Sequence, residues 1–269
     1  MQGAISLSWA AAFLYLVYGA LILRVLRSPQ ATAGHGLLYG AVLALLLHGL
    51  SVYQSVFSNE TVMFGFGLAT SLALFAASLV VIVESFIRRV TVLMGFVLLL
   101  AAPAALLPSF FPGVEFSLDA SLSFKAHLVF AFLAYGFTID AGVQAVLLSV
   151  MFHQMRHPSK SMSFGWLSNM PDLLAMERVL FRIVACAFLC LCGVIFFGTQ
   201  ATNEHAHGLF GFDHKTILTW IAWAVFAVLL IGRHWFGWRG KKALCWFWIG
   251  AVALAVAYLV YRFLVEFAV

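Results

Sequence analysis

Charged residues are scarce in this sequence. Of its 269 residues only 9% are Asp, Glu, Lys or Arg, whereas 64% are hydrophobic. Soluble domains carry roughly 25% charged residues, so this composition excludes an ordinary soluble fold. We therefore expect an integral membrane protein whose constant partner is the lipid bilayer.

The signatures of several kinds of site are also missing. There are only four cysteines, and their positions inside apolar blocks suggest small packing residues rather than a disulfide framework. We find no Ser-His-Asp or Cys-His catalytic set, no phosphate-binding glycine loop and no CxxCH haem-attachment motif. The N-terminus also lacks the basic region and cleavage site of a removable signal peptide. We therefore expect no enzymatic activity and a first span that is retained.

Long hydrophobic runs are abundant. Eight blocks approach the roughly 20 apolar residues that cross a bilayer core, and backbone groups in lipid are satisfied within helices. The blocks are Ile5–Leu26, Gly36–Phe57, Val62–Ile87, Val90–Leu107, Phe124–Phe152, Leu180–Ala201, Thr216–Phe236 and Ala243–Phe263. The sequence predicts an all-α bundle of eight transmembrane helices, forming a single domain over residues 1–269.

The basic residues predict the orientation, because Lys and Arg accumulate on the cytoplasmic side of a membrane. Twelve of the fifteen fall at connections on one side: Arg24, Arg27, Arg88, Arg89, Arg156, Lys160, Arg178, Arg182, Arg233, Arg239, Lys241 and Lys242. Both termini are therefore predicted to face outside. The same sorting explains the basic pI of 9.2, so we expect no nucleic-acid partner.

Ionisable residues within predicted spans are functional candidates, because a charge in lipid is costly unless it is paired. Glu84 stands four residues before Arg88 near the inner surface, so an ion pair within one helix or snorkelling to the interface explains it. Asp140 and Gln144 have the same spacing deeper in the fifth span. They suit interhelical hydrogen bonds, with a polar path as the alternative.

Two histidines are predicted at membrane depth. His48 lies about 18 Å from the inner end of the second span, and His127 about 5 Å below the outer end of the fifth. Both could face one cavity in the outer leaflet, although each could instead make an ordinary helix–helix contact. Above them, the outer connection Asn203–Trp223 carries three more histidines: His205, His207 and His214.

The pattern of histidines fits a haem site better than a zinc site. Zinc needs three or four closely grouped ligands, and Glu204, His205 and His207 form only a partial set. Haem needs one or two axial imidazoles and a broad apolar wall, which phenylalanine-rich helices provide.

Three passages resemble the cytochrome c assembly protein superfamily, to which the CcsA-type and CcmC-type proteins belong, and within it the YpjD-like branch. They are HLVFAFLAYGF from His127, MPDLLAMERVLFRI from Met170, and GRHWFGWRGKK from Gly232. The last two look specific to the branch. The resemblance implies a haem-binding protein of the bacterial inner membrane that exposes haem b at the outer face for cytochrome assembly.

The outer connection Asn203–Trp223 resembles the superfamily's tryptophan-rich motif, which reads roughly WxWDPKE and continues to a further Trp. Here Phe210 and Phe212 replace the leading tryptophans, whereas Asp213 remains and Trp223 stands ten residues beyond it. Phenylalanine can stack on a porphyrin but lacks the indole N–H donor. The resemblance therefore makes these four residues candidates for shaping a haem site.

The resemblance implies one axial ligand in this sequence. His127 matches the superfamily's first outer-face histidine, whereas the second has no counterpart in this sequence. His48 or His207 would have to supply a second ligand, so the predicted iron ligands are His127 and His48, with His207 as a further cofactor-binding residue.

The hypothesis from the sequence is a haem-handling or haem-export protein that acts with cytochrome-assembly or other membrane partner proteins. Ligation of haem to apocytochrome is not expected, since it would need the complete tryptophan-rich loop and the second histidine. The alternative is a haem-free scaffold or permease-like subunit that kept the fold and acts through partners.

Overall fold

The computed structural model describes residues 2–28, 34–57, 61–88, 90–117, 121–156, 169–205 and 214–257. Within them the chain forms eight helices and one pair of short strands. The helices are α1 (Gln2–Val25), α2 (His35–Phe57), α3 (Phe66–Arg88), α4 (Thr91–Phe110), α5 (Leu122–Arg156), α6 (Leu173–His205), α7 (His214–Phe236) and α8 (Gly240–Ala255), and the strands are β1 (Thr61–Phe64) and β2 (Val114–Ser117).

The helical membrane fold predicted from composition is confirmed. Seven helices, α1 to α7, are long and apolar enough to cross a bilayer. Helix α8 has 16 residues in the described part of the chain, and the rest of the predicted eighth span falls in residues 258–269, outside that part. Eight spans, and the side of the membrane on which each terminus lies, stay predictions.

The beginning of the third predicted span is wrong. Instead of a helix from Val62, residues Thr61–Phe64 form β1, which pairs antiparallel with β2, so that Thr61 faces Ser117 and Phe64 faces Val114. Helix α3 begins only at Phe66. Pairing with a distant strand satisfies the backbone groups of this apolar segment as a helix would, and apolar composition alone does not distinguish the two.

The helices pack in an order that differs from their order along the chain. Helix α1 contacts α2 and α4, α4 contacts α3, and α3 contacts α5; α5 and α6 share the most extensive interface, and α7 joins α6 to α8. Helices α5 and α6 have 35 and 33 residues. At about 1.5 Å per residue each is roughly 50 Å long and exceeds the hydrocarbon thickness of about 30 Å.

Helix α6 begins at Leu173, seven residues before the predicted start at Leu180, because its polar residues have partners within the bundle. Arg182 forms a salt bridge and hydrogen bond with Glu84 of α3. This ion pair joins α3 to α6. The predicted pairing of Glu84 with Arg88 involves a side chain that the structure does not describe, and it stays a prediction.

Glu177 of α6 connects this helix to the start of α8. Its carboxylate is almost completely buried, with 3% of the residue exposed. One carboxylate oxygen accepts the N–H of Gly240 at 2.9 Å, and the other lies 3.7 Å from a guanidinium nitrogen of Arg233. Gly237 and Gly240 have φ of 62° and 58°, in the left-handed region that glycine adopts most easily. The α7–α8 connection therefore turns sharply onto Glu177.

Two further contacts surround the first turns of α6. The side-chain amide of Asn169 donates to the carbonyl oxygens of Leu26 and Ser28, at 2.6 and 2.7 Å, just after α1. Gln144 of α5 donates to the carbonyl oxygen of Met176 at 3.1 Å. We call Asn169, Met176, Glu177 and Arg182 the α6 junction, because these residues contact α1, α3, α5 and the α7–α8 connection.

Asp140 differs from Gln144, with which it was paired in the sequence analysis. Gln144 makes the predicted interhelical hydrogen bond. Asp140 is fully buried, and neither of its carboxylate oxygens has a hydrogen-bond partner among the described residues. The interhelical role is therefore seen for Gln144 and not for Asp140.

Replacing Glu177 tests the junction. In Glu177→Ala the Gly240 N–H and the Arg233 guanidinium lose the carboxylate as a partner. We expect the free energy of unfolding to fall by about 2 kcal/mol, a cost that is limited because Arg233 keeps some access to solvent. Glu177→Gln retains an acceptor for Gly240 and should lose less. The melting temperature of the purified protein in detergent, followed by tryptophan fluorescence, measures both. The neighbouring exposed Arg178→Ala is the control; equal melting temperatures for all variants would contradict the role of Glu177.

Candidate functional site

The structure describes three of the seven predicted cofactor-binding residues. His48, His127 and Trp223 lie in α2, α5 and α7. The other four lie outside the described residues, in 206–213: His207, Phe210, Phe212 and Asp213. Their contribution to a site stays a prediction, whereas the surroundings of the first three are defined.

His127 is held against α6 through one ring nitrogen. It is half-buried in the second turn of α5, and its Nδ1 lies 2.9 Å from the carbonyl oxygen of Val194. A carbonyl oxygen only accepts hydrogen bonds, so Nδ1 carries the proton. In a neutral imidazole the other nitrogen, Nε2, then has a free lone pair, and no described residue hydrogen-bonds to it. Histidines that ligate metals commonly have this arrangement, with one nitrogen oriented by a backbone carbonyl.

Two glycines of α6 make this approach possible. A Cβ atom at Gly198 would lie 3.0 Å from Nδ1 of His127, and one at Gly193 would lie 2.5 Å from the ring of Phe130. Real Cβ atoms rarely come so close, so larger residues at these positions would push α5 and its side chains away. The lack of a side chain at Gly198 therefore lets the His127 ring lie directly against α6.

One aromatic ring lies beside His127, and others pack nearby along the α5–α6 interface. Phe124, almost one turn earlier, is roughly parallel to the imidazole, with ring centroids 6.3 Å apart. Phe130 stacks on Phe197 of α6 at 5.4 Å, and Phe197 meets Phe196 edge to face at 5.1 Å. A half-buried imidazole beside flat apolar rings is chemically suited to one axial side of a haem.

His48 has a different environment. It is 1% exposed; its Nε2 is hydrogen-bonded to the Ser71 hydroxyl at 2.8 Å and its Nδ1 to the Tyr15 hydroxyl at 3.3 Å. The rings of Tyr15 and Phe75 meet it edge to face. To ligate iron, His48 would have to give up one of these hydrogen bonds.

The described contacts of His48 and His127 involve different helices. His48 contacts α1 and α3, whereas His127 contacts α6. The two histidines share no hydrogen-bond partner among the described residues, and their placement around one cavity stays a prediction.

Trp223 contacts α6 from the other side. Its indole N–H donates to the sulfur of Cys192 at 3.2 Å, and its ring stacks on Phe188 at 5.6 Å. At about 100° of rotation per residue, the α6 positions that contact Trp223 are roughly 120° around the helix from those that contact His127. Trp223 and His127 therefore lie against different faces of α6.

The sequence did not indicate several residues of this region. The ligand-like orientation of His127 depends on a backbone carbonyl at Val194, for which side-chain patterns give no signal. Gly193 and Gly198 are visible in the sequence, but small residues are common in membrane helices. No group of three or more His, Cys, Asp or Glu side chains in the described ranges could hold a metal ion, so within them the site consists of one oriented imidazole.

Comparison with known proteins identifies the family. The sequence profile of the family described as "Cytochrome C assembly protein" matches residues 36–269. The chain belongs to this family. The match includes helices α2 to α8, and thus all the contacts of His127 described above.

Three curated relatives are named Inner membrane protein YpjD. The protein of Escherichia coli K12 is 32% identical over 148 residues, which cover 52% of this chain and 51% of the relative, and those of Escherichia coli O6:H1 and O157:H7 give the same values. The chain thus spans about half the length of the curated relatives it matches. The family inferred from the three passages is confirmed, as is a multi-pass location in the inner membrane. The names of these relatives agree with the inferred branch.

The tautomer of His127 can be measured directly. We expect ¹⁵N NMR of histidine-labelled protein, at mildly alkaline pH, to show a protonated Nδ1 and an unprotonated Nε2 for this residue, because the Val194 carbonyl accepts a hydrogen bond only from Nδ1–H. The signal that disappears in His127→Ala is assigned to His127. Gly198→Ala should perturb it, whereas Gly142→Ala on α5, where the nearest side-chain atom is 3.9 Å away, should not; a proton on Nε2 in the unmodified protein would contradict the assignment.

Proposed function

We propose that this protein binds haem b and presents it at the outer face of the membrane, as part of the role in cytochrome c maturation that its family indicates. One observation carries the proposal: His127 has its Nδ1 engaged by Val194 while its Nε2 is available. An axial ligand of haem iron needs an oriented imidazole with a free lone pair and an apolar surrounding.

Each described residue near His127 has a role in this proposal. Val194 fixes the ring and its tautomer, and Gly198 provides the space for that contact. Phe124 provides apolar surface beside the imidazole, and the stack of Phe130 on Phe197 extends the aromatic surface of the α5–α6 interface. Bound haem would supply an iron centre, which the Nε2 lone pair of His127 would ligate. A pre-oriented ligand loses less conformational entropy when it binds, which favours affinity.

A second axial ligand is proposed from the loop or from α2. His207 is the simpler choice, since His48 would have to release Ser71 or Tyr15. Phe210, Phe212 and Asp213 are proposed to complete the surface of the site, as the corresponding motif implies. Trp223, whose indole N–H is committed to Cys192, is proposed to support that surface through α7. The proposal assigns no ligation of haem to apocytochrome to this chain.

A haem-free scaffold or permease-like subunit is the second proposal. The observation that favours it is that both nitrogens of His48 are hydrogen-bonded, which leaves His127 as the single oriented imidazole of the described site. The replacement of the two leading tryptophans of the loop motif by Phe210 and Phe212 is in agreement with it. In this proposal the fold serves to contact cytochrome-assembly partner proteins within the membrane.

Optical spectra distinguish the two proposals. Protein purified from haem-replete cells should show a Soret band, and His127→Ala should lower haem retention by more than about tenfold because an axial ligand is lost. His35→Ala, an exposed histidine on α2, is the matched control and should retain haem. A colourless unmodified protein would reject haem binding.

The level of c-type cytochromes in cells provides a separate measurement. Haem-stained gels should show less covalently attached haem in cells that carry His127→Ala than in cells that carry His35→Ala. Unchanged cytochrome levels with His127→Ala, at equal amounts of membrane-inserted protein, would support the scaffold.

A further inference from the structure

A cavity of about 270 Å³ opens between the last turns of α5 and the first turn of α8. Its lining combines basic, hydroxyl and apolar side chains: Ser149, Phe152, His153, Arg156, Lys241 and Leu244. His127 and Arg156 are 29 residues apart on α5, which corresponds to about 43 Å along the helix. The cavity is therefore remote from the candidate haem site.

The described part of the chain brings no carboxylate to the lining of the cavity that would neutralise its positive charge. Glu177, the nearby buried carboxylate, is engaged by Gly240 and Arg233. Among the described residues, Arg156 and Lys241 take part in no ion pair and both are exposed. Two cations at the mouth of one cavity favour an anionic ligand.

The inner wall of the cavity is apolar. Leu244 is buried, and the Phe152 ring comes within 3.6 Å of the position that a Cβ atom would take on Gly240. Ligand pockets of drug-sized molecules begin at about 300 Å³, so this one suits a small group such as a phosphate with its glycerol carbons. An anionic group on a short apolar stem would satisfy both parts of the lining.

The surroundings are those of a membrane–water interface. Trp235 and Phe236, at the end of α7, are 73% and 71% exposed, and the ammonium group of Lys242 lies 3.9 Å from the centre of the Trp238 ring. Aromatic and basic side chains concentrate where lipid headgroups meet the hydrocarbon core. The cavity thus opens at a level where phospholipid phosphates are available.

We propose that this cavity binds the phosphate of an anionic glycerophospholipid. Arg156 contributes a planar guanidinium that can bind two phosphate oxygens, and Lys241 contributes a compact positive charge on the facing helix. Phe152 and Leu244 contact the glycerol carbons and the first part of the acyl chains. The bound lipid joins the end of α5 to the start of α8.

Native mass spectrometry of the full chain, titrated with short-chain phosphatidylglycerol or phosphatidylcholine, tests this site. We expect phosphatidylglycerol to bind more tightly than phosphatidylcholine. The double variant Arg156→Gln/Lys241→Gln should bind phosphatidylglycerol at least about tenfold more weakly, since each basic residue near a membrane surface contributes to anionic-lipid affinity. The matched control is Arg24→Gln/Arg27→Gln on the exposed end of α1, which removes the same charge and should change the affinity less than about twofold.

Other results would overturn the proposal. Equal affinity for the two lipids, or an equal loss in both double variants, would show attraction by net charge without a specific site. Displacement of the lipid by inorganic phosphate at comparable concentration would assign the cavity to free phosphate. Equal melting temperatures of the two double variants in lipid-free detergent verify that a loss of binding does not come from unfolding.

Discussion

The buried carboxylate of Glu177 connects the first turns of α6 to the start of α8, through the N–H of Gly240 and the guanidinium of Arg233. A buried charge without partners is costly, so the sharp turn at Gly237 and Gly240 and the helix that carries Glu177 stabilise each other. Around them, the other residues of the α6 junction contact α1, α3 and α5. The two passages that look specific to the YpjD-like branch, from Met170 and from Gly232, thus meet in space at this interaction.

The position of the candidate site depends on the same helix. Helix α6 runs from the junction to Val194 and Gly198, where it meets His127. Its long interface with α5 keeps the two helices in register, and Gly193 and Gly198 set how closely they approach. A shift of α6 along its axis by one residue, about 1.5 Å, would move the Val194 carbonyl away from Nδ1. Rigid packing of α6 therefore provides the orientation that an axial ligand requires.

Helix α5 carries different chemistry at its two ends. Near its start, His127 lies among aromatic rings and a backbone carbonyl, which is a neutral environment that suits an apolar cofactor. Near its end, Arg156 and Lys241 of α8 border a cavity with excess positive charge. This separation follows the predicted orientation, in which basic residues collect on the cytoplasmic side. Haem handling and lipid binding are therefore proposed at opposite ends of one helix.

Sequence analysis alone predicted the helical membrane fold, the approximate limits of seven spans and the family correctly, and it proposed His127 as the leading site residue. These follow from local apolar composition and from short motifs, which need no knowledge of distant contacts. Only the tertiary structure decided that Glu84 pairs with Arg182, that Thr61–Phe64 is a strand, and that His48 is held by Tyr15 and Ser71. Their partners are remote in the chain. Packing between helices therefore determines whether a histidine is hydrogen-bonded or available as a ligand. The environment of an imidazole or a carboxylate is a property of neighbouring helices, which helical periodicity does not specify.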